Sequence, residues 1–160
     1  MDSRESPKFV PATFVVPTTL QGDGFRLVPL GPEHNAADYA AWTSSMDHIR
    51  ATPGFAGRAW PVPMTEAENL GDLERHHADF EQRKGFTYTV LEGSGSEPDG
   101  AVIGCVYIYP SSTPDTDVDV RSWVRADRAH LDRPLYEAVS KWLAAVWPFR
   151  AVEYAPRPVA

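Results

Sequence analysis

Disulfides are the first thing this sequence lacks. Its 160 residues hold one cysteine, Cys105, so no bridge can form within the chain, which fits a reducing compartment. Long apolar runs are missing too: nothing approaches the ~20 consecutive apolar residues that cross a bilayer. The opening stretch MDSRESPKFVPATFVVP has no continuous apolar core and is cut by prolines. That argues against a secretory leader and points to a cytoplasmic protein. Positive charge is in deficit, with 15 Lys and Arg against 22 Asp and Glu and a net charge of -7. An acidic surface repels phosphate polyanions, so neither nucleic acid nor a membrane surface is an expected partner. The five histidines are scattered without ligand spacing, so no metal site is expected.

What remains suits one domain with a real core. Residues 1–23, with Pro7, Pro11 and Pro17, read as an extended N-terminal arm tacked on through Phe14, Val15 and Val16. Residues 24–160 form the domain. Phe25 to Leu30 alternates as a strand, at an edge because Pro29 has no N–H to donate. A helix follows, starting near Pro32 or Asn35 and running through Tyr39 to Trp42, with one further turn over Met46–Arg50. The loop 51–64 holds three prolines, two glycines, Phe55 and Trp60. Its aromatics serve either as a ligand lid or as a plug at the core's edge, and the plug is favoured.

Thr65-Glu66-Ala67-Glu68 is a capping box that opens a helix. Leu70, Leu73, His77 and Phe80 recur at helical spacing, which turns His77 toward the core, and Gly85 supplies the stop. Strands are expected at Phe86–Leu91 and Ala101–Tyr109, joined by the flexible GSGSEPDG. Alternation places Ile103, Cys105, Tyr107 and Tyr109 on one face of the second strand, and Val102, Gly104, Val106 and Ile108 on the other. Both faces are apolar, as in a central strand covered on each side. Cys105 in that setting is a small buried hydrophobe rather than a reactive thiol.

The next strand sorts Val118, Val120, Ser122 and Val124 to one face and Asp117, Asp119, Arg121 and Trp123 to the other. Two acids, an arginine and a tryptophan in a row make either a solvated face or a pocket wall. After an arginine-rich turn, a helix starts with Asp132 as N-cap and Pro134 in its first turn. Leu135, Ala138, Val139, Trp142, Leu143 and Val146 form its buried stripe, Pro148 ends it, and 149–154 reads as a last strand.

The order of these elements, with the phrases GAVIGCVYIYP and DVDVRSWVRADRAHLDRPLYEAVSKWL, resembles the GNAT acetyltransferase superfamily over roughly residues 24 to 155. The resemblance implies an α+β fold built on a mixed sheet, truncated after the fifth strand of that family. It implies acetyl-CoA as co-substrate, its pantetheine arm held by main-chain groups of Trp123 and Val124. The family's turn reads Q/R-x-x-G-x-G/A, where small residues let backbone N–H groups close on a pyrophosphate. Here the turn from Arg125 to Asp132 has no glycine. Arg125, Arg128 and His130 then either meet the phosphates through their side chains or solvate the loop, which is the reading for Arg133. The family's further helix, which often carries a tyrosine acting as general acid, has no counterpart after Tyr154.

Two functions follow as expectations. One is N-acetyl transfer to a small amine, with Asp119 as base, Asp117 as second choice, and Tyr39, Trp42, Trp60, Tyr107 and Arg121 lining the acceptor pocket. The other is a non-catalytic relative that binds a small ligand or partner after losing acetyl-CoA. An open sheet edge at 149–154 makes homodimerisation through the last strand a further expectation.

Overall fold

The computed structural model describes residues 8–93 and 100–158. The body of the GSGSEPDG connection and the first residues of the arm lie outside these. A single six-stranded sheet runs in the order β1 (Leu20–Gln21), β2 (Phe25–Pro29), β3 (Phe86–Glu92), β4 (Val102–Pro110), β5 (Val118–Val124) and β6 (Val152–Tyr154). Every neighbouring pair is antiparallel except β5 and β6, which are parallel. A short 3-10 turn at Pro32–His34 leads into α1 (Asn35–Thr43) and α2 (Met46–Ala51). Helix α3 (Glu66–Glu81) precedes β3; a second 3-10 segment, Ala126–Leu131, and then α4 (Asp132–Val146) separate β5 from β6.

The sheet is covered on both faces. One layer gathers Phe25, Leu27, Phe86, Tyr88, Val106, Ile108, Val118 and Val120 beneath α4, whose Leu135, Val139, Trp142 and Leu143 face it. Each such fully buried side chain contributes about 1.5–3 kcal/mol. The arm belongs to this layer: Phe9 stacks on Phe86 and Phe149, and Phe14 meets Trp147. Val15, by contrast, is exposed. The other layer joins Leu30, Ala41, Trp42, Ile49, Phe55, Leu73, Cys105 and Trp123 beneath α1, α2 and α3.

Alternation along β4 breaks once. Val90 pairs with Gly104 but Leu91 pairs with Val102, so Ile103 is an extra residue, a β-bulge. Ile103 therefore packs in the α4 layer with Val106 and Ile108 rather than beside Cys105, and Val102 takes the opposite layer. Gly104 is obligatory there, since a Cβ would sit 2.4 Å from the Trp123 carbonyl oxygen.

Four local expectations are corrected. The capping box at Thr65 forms as read, with Glu68 N–H donating to Thr65 Oγ1 at 3.1 Å and Thr65 N–H to Glu68 Oε1 at 2.8 Å. Helix α3 ends, however, at Glu81, and the left-handed residue that stops it is Arg83 (φ 60°), just past the C-cap Gln82. Gly85 serves contact instead, because a Cβ there would lie 2.1 Å from the Tyr109 ring. His77 is exposed beside Glu81, and its neighbour His76 is the histidine that turns inward. Asp132 is the first helical residue rather than the N-cap; its carboxylate is claimed by a distant arginine. The last strand is also shorter than read, Phe149 packing against Trp147 before β6 begins.

Candidate functional site

A cavity of about 330 Å³ opens between the helices and the sheet, lined by Asp38 from α1, His76 from α3, Tyr107 and Tyr109 from β4, and Phe55 and Trp60 from the loop after α2. Arg121 of β5, with Asp72 and Arg75 of α3, reaches the same space. A roomier crevice of about 540 Å³ lies between the arm and the end of α3, but its wall of Lys8, Arg83, Lys84 and apolar groups offers no acid or catalytic base.

Asp38 is the unusual member. It shares the buried face of α1 with Ala41 and Trp42 and is 4% exposed. Its Oδ2 accepts a hydrogen bond from Asn69 Nδ2 at 3.1 Å, and Asn69 Oδ1 in turn accepts from Trp42 Nε1 at 3.0 Å. Burial lifts the Asp38 carboxyl to about 6, with the Asn69 bond opposing and the charge of Asp72 adding to the rise. Among the described residues no cationic side chain pairs with it. The cations at the cavity are already matched, Arg75 to Asp72 at 2.9 Å and Arg121 to Asp119 at 3.1 Å.

His76 is pulled down to about 4, chiefly by burial and then by Arg75, so it is neutral at physiological pH. Its Nδ1 stands 2.8 Å from Tyr109 Oη and 3.1 Å from Thr87 Oγ1, and Tyr109 Oη donates to Asp79 at 2.9 Å. Tyr107 Oη accepts from Trp123 Nε1 at 3.0 Å. Phe55, Trp60 and Tyr107 meet pairwise at 6.0 to 6.4 Å between centroids, forming one aromatic corner.

Trp60, Tyr107 and Arg121 thus line the cavity, while Tyr39 and Trp42 do not. Tyr39 donates to the Met64 carbonyl at 2.6 Å, and Trp42 is buried behind Asn69. Asp119 and Arg121 border a separate hollow of about 410 Å³ along β5 and β6, while Trp123 of the same row is buried. Asp117 accepts the backbone N–H groups of Arg150 and Ala151 at 3.0 and 2.9 Å. Burial raises its carboxyl, yet those two N–H groups outweigh it and hold the group below the usual range. It ties down the approach to β6.

The turn after β5 is occupied with itself. Arg125 grips Asp127 at 2.6 and 3.0 Å, and Arg128 forks onto Glu92 at 2.5 and 3.2 Å. Each arginine holds its acid below the ordinary range, Asp127 by Arg125 and Glu92 by Arg128. His130 is exposed. The 3-10 segment returns Arg128 N–H to the Arg125 carbonyl, and Ala126 N–H donates to Ser45 Oγ at 2.8 Å.

Beyond β6 the chain folds Arg157 back into the protein. β6 is three residues long and pairs with Val118–Val120, so among the described residues Arg121–Val124 of β5 have no strand beside them on that edge. Arg157, its side chain 2% exposed, lies there: Nη2 donates to the Ser122 carbonyl at 2.8 Å, Nε to Asp132 at 2.8 Å, and Nη1 to the carbonyls of Ala155 and Pro53 at 2.9 and 3.3 Å.

No protein-family model matches this sequence, and no curated protein does. Solved structures do match. A putative ribosomal-protein-serine acetyltransferase from Vibrio cholerae superposes with a TM-score of 0.62 at 10% identity, over 93% of this chain and 76% of that one. Mycobacterium smegmatis RimJ, in complex with CoA-disulfide, gives 0.60 at 15% identity, over 84% and 63%. RimL, a ribosomal L7/L12 alpha-N-protein acetyltransferase, gives 0.57 at 8%, over 78% and 63%. The fold is that of the GNAT acetyltransferases. The chain spans 63% of the length of RimL and of RimJ.

On this acetyltransferase fold the side chains of Trp123, Val124, Arg125 and Arg128, which the resemblance assigns to the cofactor, have other surroundings, while His130 is exposed. Trp123 and Val124 are buried in the sheet against Cys105 and Gly104. The carbonyl just before them, that of Ser122, is taken by Arg157. Both arginines of the turn are paired with acids. Among the described residues no cluster of His, Cys, Asp or Glu is arranged to hold a metal, and no helix is long and apolar enough to cross a membrane.

Asp38, His76 and Arg157 are the site residues that sequence reasoning missed. Asp38 was findable, because it precedes Ala41 and Trp42 by three and four positions and so shares their face. His76 and His77 are adjacent, and a helix turning 100° between them leaves periodicity ambiguous. Nothing local to Pro156-Arg157-Pro158 signals burial.

Proposed function

We infer that this protein binds a small molecule in the cavity beneath α1 and α3, on an acetyltransferase scaffold whose acyl-CoA arm site is filled by its own Arg157. The observation that carries this reading is the bond from Arg157 to the Ser122 carbonyl, on the stretch of β5 that β6 does not reach. A pantetheine arm running beside Trp123 would have to displace a side chain that makes hydrogen bonds to three carbonyls and one carboxylate. The glycine-free turn adds to it, since its arginines would have to leave Asp127 and Glu92 to meet a pyrophosphate. Fold alone does not preserve an activity.

Acetyl transfer to a small amine is the second reading, favoured by the shared fold. It requires Arg157 to move, and it would use acetyl-CoA as co-substrate with Asp119 bordering the groove. Thermal shift separates the two. A ligand at 100 times its dissociation constant stabilises by about 2.7 kcal/mol. No shift in millimolar acetyl-CoA supports the binding-protein reading; a clear shift, with acetyl-CoA consumed in the presence of amines, replaces it by the second.

A further inference from the structure

We propose that the cavity selects a methylated ammonium ion, a quaternary or tertiary organic cation of choline size, held by the Asp38 carboxylate against the aromatic corner of Phe55, Trp60 and Tyr107. This rests on the reading of the cavity as the ligand site and names the chemistry of its ligand.

The charge count comes first. Arg75 and Arg121 reach the cavity already matched to Asp72 and Asp119, and His76 is neutral. Asp38 is left as the acid without a cation among the described residues. A carboxylate removed from water is costly unless something positive answers it. Burial has raised its protonation midpoint with no cation to pull it back. Asp38 lines the cavity together with Phe55, Trp60 and Tyr107, so the acid and the aromatic corner face the same space. Burial first, then for Tyr107 the neighbouring Cys105, and Asp38 after these push the Tyr107 hydroxyl and the Cys105 thiol up.

The kind of cation follows from the remaining polar groups. A primary ammonium carries three N–H donors and needs about three acceptors once desolvated. The walls have few to give. The Tyr109 hydroxyl gives its proton to Asp79 and its oxygen to His76 Nδ1, which Thr87 also engages; the Tyr107 hydroxyl takes the Trp123 N–H, Asn69 spans Asp38, Asn35 and Trp42, and the Asp72 carboxylate is turned to Arg75. One unmatched carboxylate, Asp38, and three aromatic rings suit a cation whose surface is methyl groups, because ring faces attract it without hydrogen bonds. The volume, about 330 Å³, falls at the small end of the range for ligand pockets.

Calorimetric titration of the full chain with choline tests this, alongside 3,3-dimethylbutan-1-ol, its uncharged carbon isostere, and ethanolamine, its unmethylated parent. Choline should bind about tenfold or more tightly than either. Asp38→Asn, which keeps the shape of the side chain, should lose at least about tenfold, and Trp60→Leu, at a half-buried loop position, should weaken choline likewise. Equal binding of the isostere, equal or tighter binding of ethanolamine, or no binding of choline overturns the proposal. Retention of choline affinity in Asp38→Asn overturns it as well. None of these outcomes depends on acetyl-CoA, so a positive acetyl-CoA shift with choline binding intact would remove the reading of Arg157 and leave this one standing.

Discussion

Arg157 Nε stands 2.8 Å from the Asp132 carboxylate, so a residue just past β6 is locked to the first residue of α4, twenty-five positions earlier. The pair closes the part of β5 that β6 leaves unpaired. Removing one partner of such a buried pair typically costs ~3–5 kcal/mol, because the other charge stays buried and alone. Arg157→Ala should therefore lower the urea midpoint strongly. Arg157→Lys should recover only part of the loss, since one ammonium cannot reach Asp132, Ser122 and Pro53 together. Full stability in Arg157→Ala would show that the pair does not hold the two ends of the fold.

Asp38 and His76 should make stability depend on pH in opposite directions. The Asp38 carboxyl rises from an ordinary 3.8 to about 6 on folding. Its favourable contribution is complete below about 4 and is lost as pH rises through about 6. His76 falls from 6.5 to about 4, so its contribution is complete above 6.5 and is lost as pH falls through about 4. Relative to the parent, Asp38→Asn should be the more stable by roughly 2–3 kcal/mol at pH 7.5, the difference vanishing near pH 4. His76→Gln should instead lose less stability than the parent on acidification from pH 7 to 4. Denaturation at a series of pH values checks both; parallel curves for parent and Asp38→Asn would refute the first.

Two glycine-to-alanine changes should have opposite signs. At Gly104 the added methyl meets a strand carbonyl that has nowhere to retreat, which typically costs ~1–3 kcal/mol. At Gly71, exposed within α3 with nothing within 4 Å of the new Cβ, alanine should stabilise by about 0.5–1 kcal/mol. Thermal melts of the two variants decide it.

Cys105 should resist thiol reagents while the protein is folded. It is 0% exposed, and burial, followed by the charge of Asp38, pushes its thiol well above the ordinary value. Labelling by a soluble disulfide reagent should become rapid only in denaturant; rapid labelling of the native chain would contradict this burial.

Much of the architecture was legible because it rests on periodicity. The alternation of Val118, Val120, Ser122 and Val124, the capping box at Thr65, and the stripe from Leu135 to Leu143 each formed in place. Site chemistry was less legible. Asp117 and Asp119 are equivalent by spacing, yet tertiary partners separate them: one caps backbone N–H groups, the other pairs with Arg121. The turn's arginines were visible, but Glu92, which neutralises Arg128, comes from a strand thirty-six residues away. Arg157 is hidden for the same reason, since only the closed fold brings it to Ser122.

The bulge at Ile103 acts as a frameshift written in space rather than in codons. Because one extra residue is spent there, the odd-numbered side chains Cys105, Tyr107 and Tyr109 look toward the helices while Val102 does so too. Delete that one residue and the ladder runs regular: Val90 still meets Gly104, Leu91 still meets Val102, and Cys105, Tyr107 and Tyr109 keep their side. What the bulge adds is the Ile103 side chain in the layer under α4, without moving the cavity wall. A residue inserted or removed between Cys105 and Tyr109, with no bulge to absorb it, would instead turn a tyrosine into that layer. The wall of the cavity is thus indifferent to a change of length at Ile103 and sensitive to one a few positions later.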